Sequence, residues 1–194
     1  MRINIILIVI ASLIALIGGF AVQTLPVQGQ NTPPDAAPQK YPGGMVSIEP
    51  RPIPDTKWTT IHGHSFDPGV LKGRYAILNF WASWCAPCVV EFPELATFAA
   101  DHEDVAVVFI SNDQEAADIK KFIDGLSTEA KRALKTSSVY QLHDQNARIT
   151  REVFQTYRLP ESYLLDPNGN ITAKFIGALT SEHYTRIENL ITGE

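Results

Sequence analysis

Cysteine is almost missing from this chain: there are two in 194 residues. That excludes a disulfide-dense scaffold, so the fold has to be held by an apolar core. It also weighs against a structural zinc site, which needs four ligands, because there is no second cysteine pair. The five histidines (His62, His64, His102, His143 and His183) are scattered, and none stands at finger-like spacing from the cysteines. His62 and His64 alternate around a glycine, but two imidazoles in such a turn read more naturally as solvent-facing than as metal ligands. An excess of positive charge is lacking too. Sixteen Lys and Arg stand against 21 Asp and Glu, a net charge of −5, which gives no electrostatic reason to expect nucleic acid. No internal repeat is visible. The hydrophobic fraction of 45% is enough for one domain of ordinary size plus appendages.

What is there centres on Trp84-Cys85-Ala86-Pro87-Cys88, which holds both cysteines. The preceding Tyr75-Ala76-Ile77-Leu78-Asn79-Phe80-Trp81 is an apolar, β-prone run. A helix is expected to begin near Pro87, where proline's missing N–H would be unpaired in any case. Cys85 then sits at the helix N-terminus, where free N–H groups and the helix dipole favour an anion. A thiolate is such an anion, so the Cys85 thiol is expected to be acidified. Cys88 follows one turn in and can close a small disulfide with Cys85. The expected division of labour is an accessible Cys85 that attacks, and a shielded Cys88 that resolves the mixed disulfide. A purely structural bridge would close only a tiny loop and add little stability, so a redox role is favoured.

The N-terminus has a different character. Residues 5–22 carry no charge, and as a helix this run would span about 27 Å, close to a hydrocarbon core of roughly 30 Å. Arg2 and the free amine favour a cytoplasmic N-terminus, placing the rest outside the cytoplasm, where disulfide chemistry is permitted. An uncleaved anchor over residues 1–22 is the favoured expectation. The alternative is a cleaved signal peptide, with Gly19-Phe20-Ala21 as a passable site. Residues 23–54 are rich in proline and read as an extended spacer, with Met45-Val46-Ser47-Ile48 a possible edge segment of the domain that follows. Residues 55–194 form that domain.

Within it, the pattern predicts a helix from about Ala86 to His102 with Pro93 inside it, and a buried strand over Val105–Ser111. Asn112-Asp113 is placed to cap a helix from about Gln114 to Asp124. Further elements are a helical stretch from Ser127 to about Leu134, a strand over Val139–Leu142 and a helix from about Ala147 to Tyr157. Ser162–Asp166 and Ile171–Ile176 read as a hairpin around Pro167-Asn168-Gly169-Asn170, followed by an amphipathic helix that ends at Gly193.

Asn79-Phe80-Trp81-Ala82-Ser83-Trp84-Cys85-Ala86-Pro87-Cys88 with Glu91-Phe92-Pro93, and the downstream Leu159-Pro160-Glu161-Ser162, closely resemble the thioredoxin superfamily. More narrowly, they resemble its membrane-anchored TlpA/ResA-type thiol-disulfide oxidoreductases, which include the cytochrome c maturation reductases. The likeness runs from about Gly44 to the C-terminus. It implies an α/β thioredoxin-like fold, a central mixed sheet flanked by helices behind an N-terminal transmembrane helix, with no organic cofactor. It implies protein disulfides as substrates, apocytochrome c or copper-site assembly proteins among them, and re-reduction by a membrane donor of the DsbD/CcdA type. It also implies a cis peptide at Pro160 facing the cysteines, where the backbone of Leu159 could pair with an extended substrate. Trp84, Leu159 and Glu161 are expected at the substrate rim, Glu161 equally as a plain solvent contact. Asn79 stands where ordinary thioredoxins carry a buried aspartate, so Glu91 is the expected acid/base group for Cys88. Its carboxyl is expected above the usual range, through burial and a nearby thiolate.

Three alternatives stay open on the residues: a dithiol oxidase of the same fold, a copper-site assembly factor, and a peroxidase. Copper-site factors of the Sco type separate their cysteines by three residues, and here the gap is two. The peroxidase run Pro-x-x-x-Thr/Ser-x-x-Cys is absent.

Overall fold

The structure is a computed structural model that describes residues 44–193. The expected anchor over residues 1–22 and the spacer up to residue 43 lie outside the described residues. Among the described residues no helix is long and apolar enough to cross a membrane.

The domain is built on strand β4 (Tyr75–Trp81), the apolar run before the cysteines. It pairs in parallel with β5 (Val105–Ser111), which pairs in parallel with β6 (Val139–His143). On its other side β4 pairs antiparallel with β7 (Glu161–Leu165), β7 with β8 (Asn170–Ile176), and β8 with β1 (Met45–Pro52). The result is a six-stranded mixed sheet in the order β1-β8-β7-β4-β5-β6. A small hairpin of β2 (Trp58–Thr59) and β3 (Ser65–Phe66) bridges from Thr60 to Leu142 in β6. His62 and His64 lie exposed in its turn.

Both faces of β4 are covered, and its alternation separates two cores. Ile77 and Trp81 face one side, with α1 (Ala86–Asp101), α2 (Ala116–Gly125), α3 (Thr128–Ala133) and α4 (Ser181–Thr192) supplying Phe92, Ile119, Ala133 and Ile187. Ala76, Leu78 and Phe80 face the other, against Trp58, Leu71, Phe154 and Tyr163. On the first side Phe92 stacks on Phe109 at 3.9 Å between ring centroids, and on the second Phe80 packs on Phe154 at 4.9 Å. Pro93 lies inside α1 as expected, and the helix continues through it. The β7–β8 turn places Gly169 at φ 84°, the left-handed conformation that glycine adopts without penalty.

Three sequence expectations need correction. The spacer does not run to residue 54: β1 over Met45–Pro52 is a strand of the sheet. Proline is tolerated there because, among the described residues, β1 is an edge strand with one side free of ladder hydrogen bonds. Asp113 does not cap the next helix. Its carboxylate accepts instead from the Ser83 amide (3.0 Å) and from the hydroxyls of Ser83 and Ser111, both at 2.7 Å. The third concerns Ala147–Tyr157, which is not an α-helix. Ala147 and Gln155 both have φ 53°, and one wide turn over Ile149–Val153 closes with Phe154 N–H donating to the Ile149 carbonyl at 3.0 Å. The cause is Asp144. Its carboxylate accepts from the amides of Ile149 (2.9 Å) and Thr150 (2.7 Å), which fixes the start of the turn.

Candidate active site

Cys85 and Cys88 form a disulfide. Cys85 is the N-cap residue of α1, with extended backbone, and no side chain caps the helix there. The first N–H groups of a 16-residue helix therefore lie at Cys85, a setting that favours negative charge. The loop that presents it is tied down from behind by the Asp113 carboxylate on Ser83, and by Cys85 N–H donating to the Ala82 carbonyl at 3.1 Å. In the oxidised form Cys85 is 7% exposed and Cys88 1%. The asymmetry has the expected sense but is small. Access to Cys85 comes through a cavity of about 730 Å³ whose wall it joins with Trp84, Asn112, Gln114, Ala147, Arg151, Thr156, Tyr157 and Leu159. Trp84, 69% exposed, stands on its rim.

Leu159 is thus brought to the cysteine, and the Leu159–Pro160 peptide bond is cis. Pro160 itself is buried, and its carbonyl accepts from Gly177 N–H at 3.1 Å.

Glu91 lies one turn beyond Cys88 on α1, 2% exposed. Its Oε1 accepts from Leu179 N–H at 2.7 Å and its Oε2 from Asn79 Nδ2 at 3.3 Å. Asn79 also donates to Ser162 Oγ at 3.0 Å, across the β4–β7 pairing. The amide that replaces an aspartate is therefore the hydrogen-bond partner of the glutamate expected to do its work. Burial pushes the Glu91 carboxyl from 4.5 to about 7, against the pull of the Leu179 and Asn79 hydrogen bonds and with a further push from Glu94. The expected rise is present. Its cause in this disulfide form is burial first, with the second charge coming from Glu94 and not from a thiolate.

Glu161 does not stand on the rim. It is 4% exposed, because β7 lies between β4 and β8 with both faces covered. Its Oε1 meets Lys174 Nζ at 2.8 Å and accepts from Thr156 Oγ1, with the Tyr163 hydroxyl 2.9 Å away. Through Thr156 it holds the cavity wall rather than a substrate.

Sequence reasoning missed that wall. Asn112 and Gln114 come from the loop after β5, Arg151 from the wide turn, and Thr156 and Tyr157 from the segment that follows it, and they carry no motif. The one available signal was the run of Arg148, Arg151 and Arg158 in an otherwise acidic chain.

Comparison with known proteins agrees with this arrangement. The chain is 32% identical over 112 residues to the thiol-disulfide oxidoreductase ResA of Oceanobacillus iheyensis, a match that covers 57% of this chain and about half, 53%, of that protein's length. It is 29% identical over 150 residues to sporulation thiol-disulfide oxidoreductase A of Bacillus subtilis, covering 73% of this chain and 84% of the relative. Among solved structures, a secreted Mycobacterium tuberculosis disulfide oxidoreductase homologous to E. coli DsbE superposes with a TM-score of 0.56 at 25% identity, covering 69% of this chain and 94% of that one. A family profile matches residues 50–174, from β1 through most of β8 and across the whole cysteine site, and on that match the chain belongs to the AhpC/TSA family, with a thioredoxin-like fold.

Proposed function

We propose that this protein is a thiol-disulfide oxidoreductase that reduces disulfides of particular proteins outside the cytoplasm. The observation that carries the reading is the pairing of a cysteine couple at a helix N-terminus with a buried carboxyl whose pKa lies at about 7. In the reducing direction the Cys85 thiolate attacks one sulfur of a substrate disulfide. A new S–S bond forms, the substrate S–S bond breaks, and one substrate thiolate leaves. Cys88 then gives its proton to the Glu91 carboxylate and attacks the Cys85 sulfur. The second substrate thiolate leaves and takes up a proton. Two electrons have passed to the substrate, and Cys85–Cys88 is left as the disulfide. A carboxyl near 7 is populated in both forms at neutral pH, so it can take that proton and return it when a dithiol donor restores the pair.

The charge-free run over residues 5–22 supports tethering to a membrane, and with it a membrane-bound electron donor. Apocytochrome c and copper-site assembly proteins are the substrate candidates carried by the TlpA/ResA likeness.

The reduction potential tests the direction. Trp81 and Trp84 flank the pair, so fluorescence in thiol redox buffers reports its state. A potential near or below about −250 mV is expected of a reductase, and a value near about −120 mV would make the protein an oxidant instead. Absence of any reversible two-electron transition would remove the redox reading altogether.

A further inference from the structure

We infer that the cavity beside Cys85 selects substrate segments bearing an acidic side chain, with a bulky apolar one, next to the reactive cysteine, and that Arg151 and Tyr157 make the selection. The inference rests on the exchange reading above and names its substrate class.

The cavity, of about 730 Å³, is large enough for a few side chains, and the Cys85 attack site is in its wall. Its rim carries two exposed aromatic rings, Trp84 at 69% and Tyr157 at 77% exposure. Exposed rings of that size beside a reactive sulfur offer apolar contact to a partner at low entropic cost. Among the described residues Arg151 is the only charged one whose side chain lines the cavity, with no carboxylate there to neutralise it. Among the described residues Arg151 makes no ion pair. Its surroundings reinforce the sign: the segment 148–158 has Arg148, Arg151 and Arg158 against Glu152 alone, in a chain of net charge −5. A guanidinium with free donors presents a fork that matches a carboxylate.

The wall is also built to hold position. The Asp144 carboxylate fixes the amides of Ile149 and Thr150, the first two residues of the turn. Thr150 Oγ1 lies 2.6 Å from Asn112 Oδ1, tying the turn to the residue after β5. Thr156 N–H donates to the Thr150 carbonyl at 2.9 Å, and Thr156 Oγ1 donates to the buried Glu161. Arg151 and Tyr157 thus project from a segment anchored at both ends. An extended chain lying along Leu159 would put the residue beside its cysteine within reach of both.

The test uses the reduced full-length chain in detergent micelles and a pair of cyclic disulfide peptides. The two peptides share a leucine on one side of the reactive cysteine and differ only in aspartate or lysine on the other. Exchange is followed by tryptophan fluorescence at low ionic strength. The aspartate peptide is expected to react about two- to five-fold faster, the size of one well-placed surface charge pair, with the gap closing as salt is added. Arg151→Glu is expected to reverse the preference. Lys135→Glu, the same charge change away from the cavity, is expected to keep it. Tyr157→Ala is expected to slow both peptides alike, by about three-fold or more. Equal rates for the two peptides, or a preference that survives Arg151→Glu, overturns the role of Arg151. Unchanged rates in Tyr157→Ala overturn that of Tyr157. The neutral hydroxyethyl disulfide separates the two levels of claim. Exchange with it alongside equal peptide rates sinks only this inference, whereas no exchange with any disulfide sinks the proposed function as well.

Discussion

Glu91 and Glu161 are buried to nearly the same degree, 2% and 4% exposed, on opposite faces of one sheet. Both sit within a few residues of a motif element, Glu91 after Cys88 and Glu161 after Pro160. Their partners differ in kind. Glu161 has a cation, Lys174, at 2.8 Å, and two hydroxyls around the same oxygen. Burial alone would lower the Lys174 ammonium, yet its hydrogen bonds to Glu161 and Tyr163 outweigh that and hold it above the ordinary lysine value. Glu91 has only neutral donors, one amide N–H and one side-chain amide. Glu161 thus belongs to a buried ion pair, whereas the Glu91 carboxyl, held by two neutral dipoles, keeps its proton within reach of neutral pH. The two faces of the sheet place the same residue in different settings: one turn beyond Cys88 with neutral donors, and beneath the cavity wall with a cation.

The largest expected effect breaks the comparison at Glu91. Its folded pKa of about 7 exceeds the unfolded value near 4.5, so its contribution to stability is fully present below about 4.5 and is lost as pH rises through about 7. The separation corresponds to roughly 3 kcal/mol. Urea unfolding of the oxidised wild type between pH 4 and 8 is expected to show that decline over and above the other groups. Glu91→Gln, which cannot ionise, is expected to remove it and to be the more stable protein at pH 8. A difference curve flat across this range would mean that Glu91 titrates normally.

Breaking the other side comes next. Glu161→Leu leaves Lys174, Thr156 and Tyr163 without their shared oxygen and is expected to cost about 2 kcal/mol, less than a fully buried pair because the Lys174 side chain is 23% exposed. Lys174→Met in the same chain is expected to recover part of the loss, which a double-mutant cycle in urea measures.

Activity sharpens the contrast further. Glu91→Gln is expected to slow resolution of the mixed disulfide by about ten-fold at pH 7, less than the roughly hundred-fold or more of a typical positioned acid/base group because water can take the proton in its place, and to flatten the pH–rate profile near 7. Quenched-flow trapping of the mixed disulfide checks this. An unchanged lifetime would return Glu91 to a purely structural role.

The two glutamates also show where the sequence was readable. Glu91 was legible because a helix has a fixed period: three residues after Cys88 is the same face, whatever the helix packs on. The cysteine site and the β7–β8 hairpin were legible for similar local reasons, from the start of α1 and the turn chemistry, whereas the cis Pro160 was legible only through the family resemblance. Glu161 was misread because nothing local tells a strand residue that both faces of its strand are covered. That depends on β4 and β8 flanking β7 and on Tyr163 and Phe154 closing the second face. The wide turn over Ile149–Val153 was misread as α-helix because its helix-like composition was overruled by one distant-acting carboxylate, Asp144, capturing two amides. Pro50 and Pro52 counted towards a spacer, yet an edge strand accommodates them.

The smallest expected effect falls on Asn79, the link between the two strands under Glu91. Asn79 Nδ2 is one of the two donors that hold the Glu91 carboxyl down against burial. Asn79→Leu removes that donor and leaves Ser162 Oγ without its partner, a loss of about 1 kcal/mol of stability. The more informative consequence is a direction. With one donor gone the charged form of Glu91 is less favoured, so its titration is expected to move above 7, which carbon-detected NMR of the Glu91 carboxyl follows. Asn79→Asp pushes the same way for another reason, since a second carboxylate 3.3 Å from the first cannot easily share the site in charged form. A Glu91 titration that stayed put in Asn79→Leu would show that Leu179 N–H alone sets the carboxyl, and that the strand contributes only position.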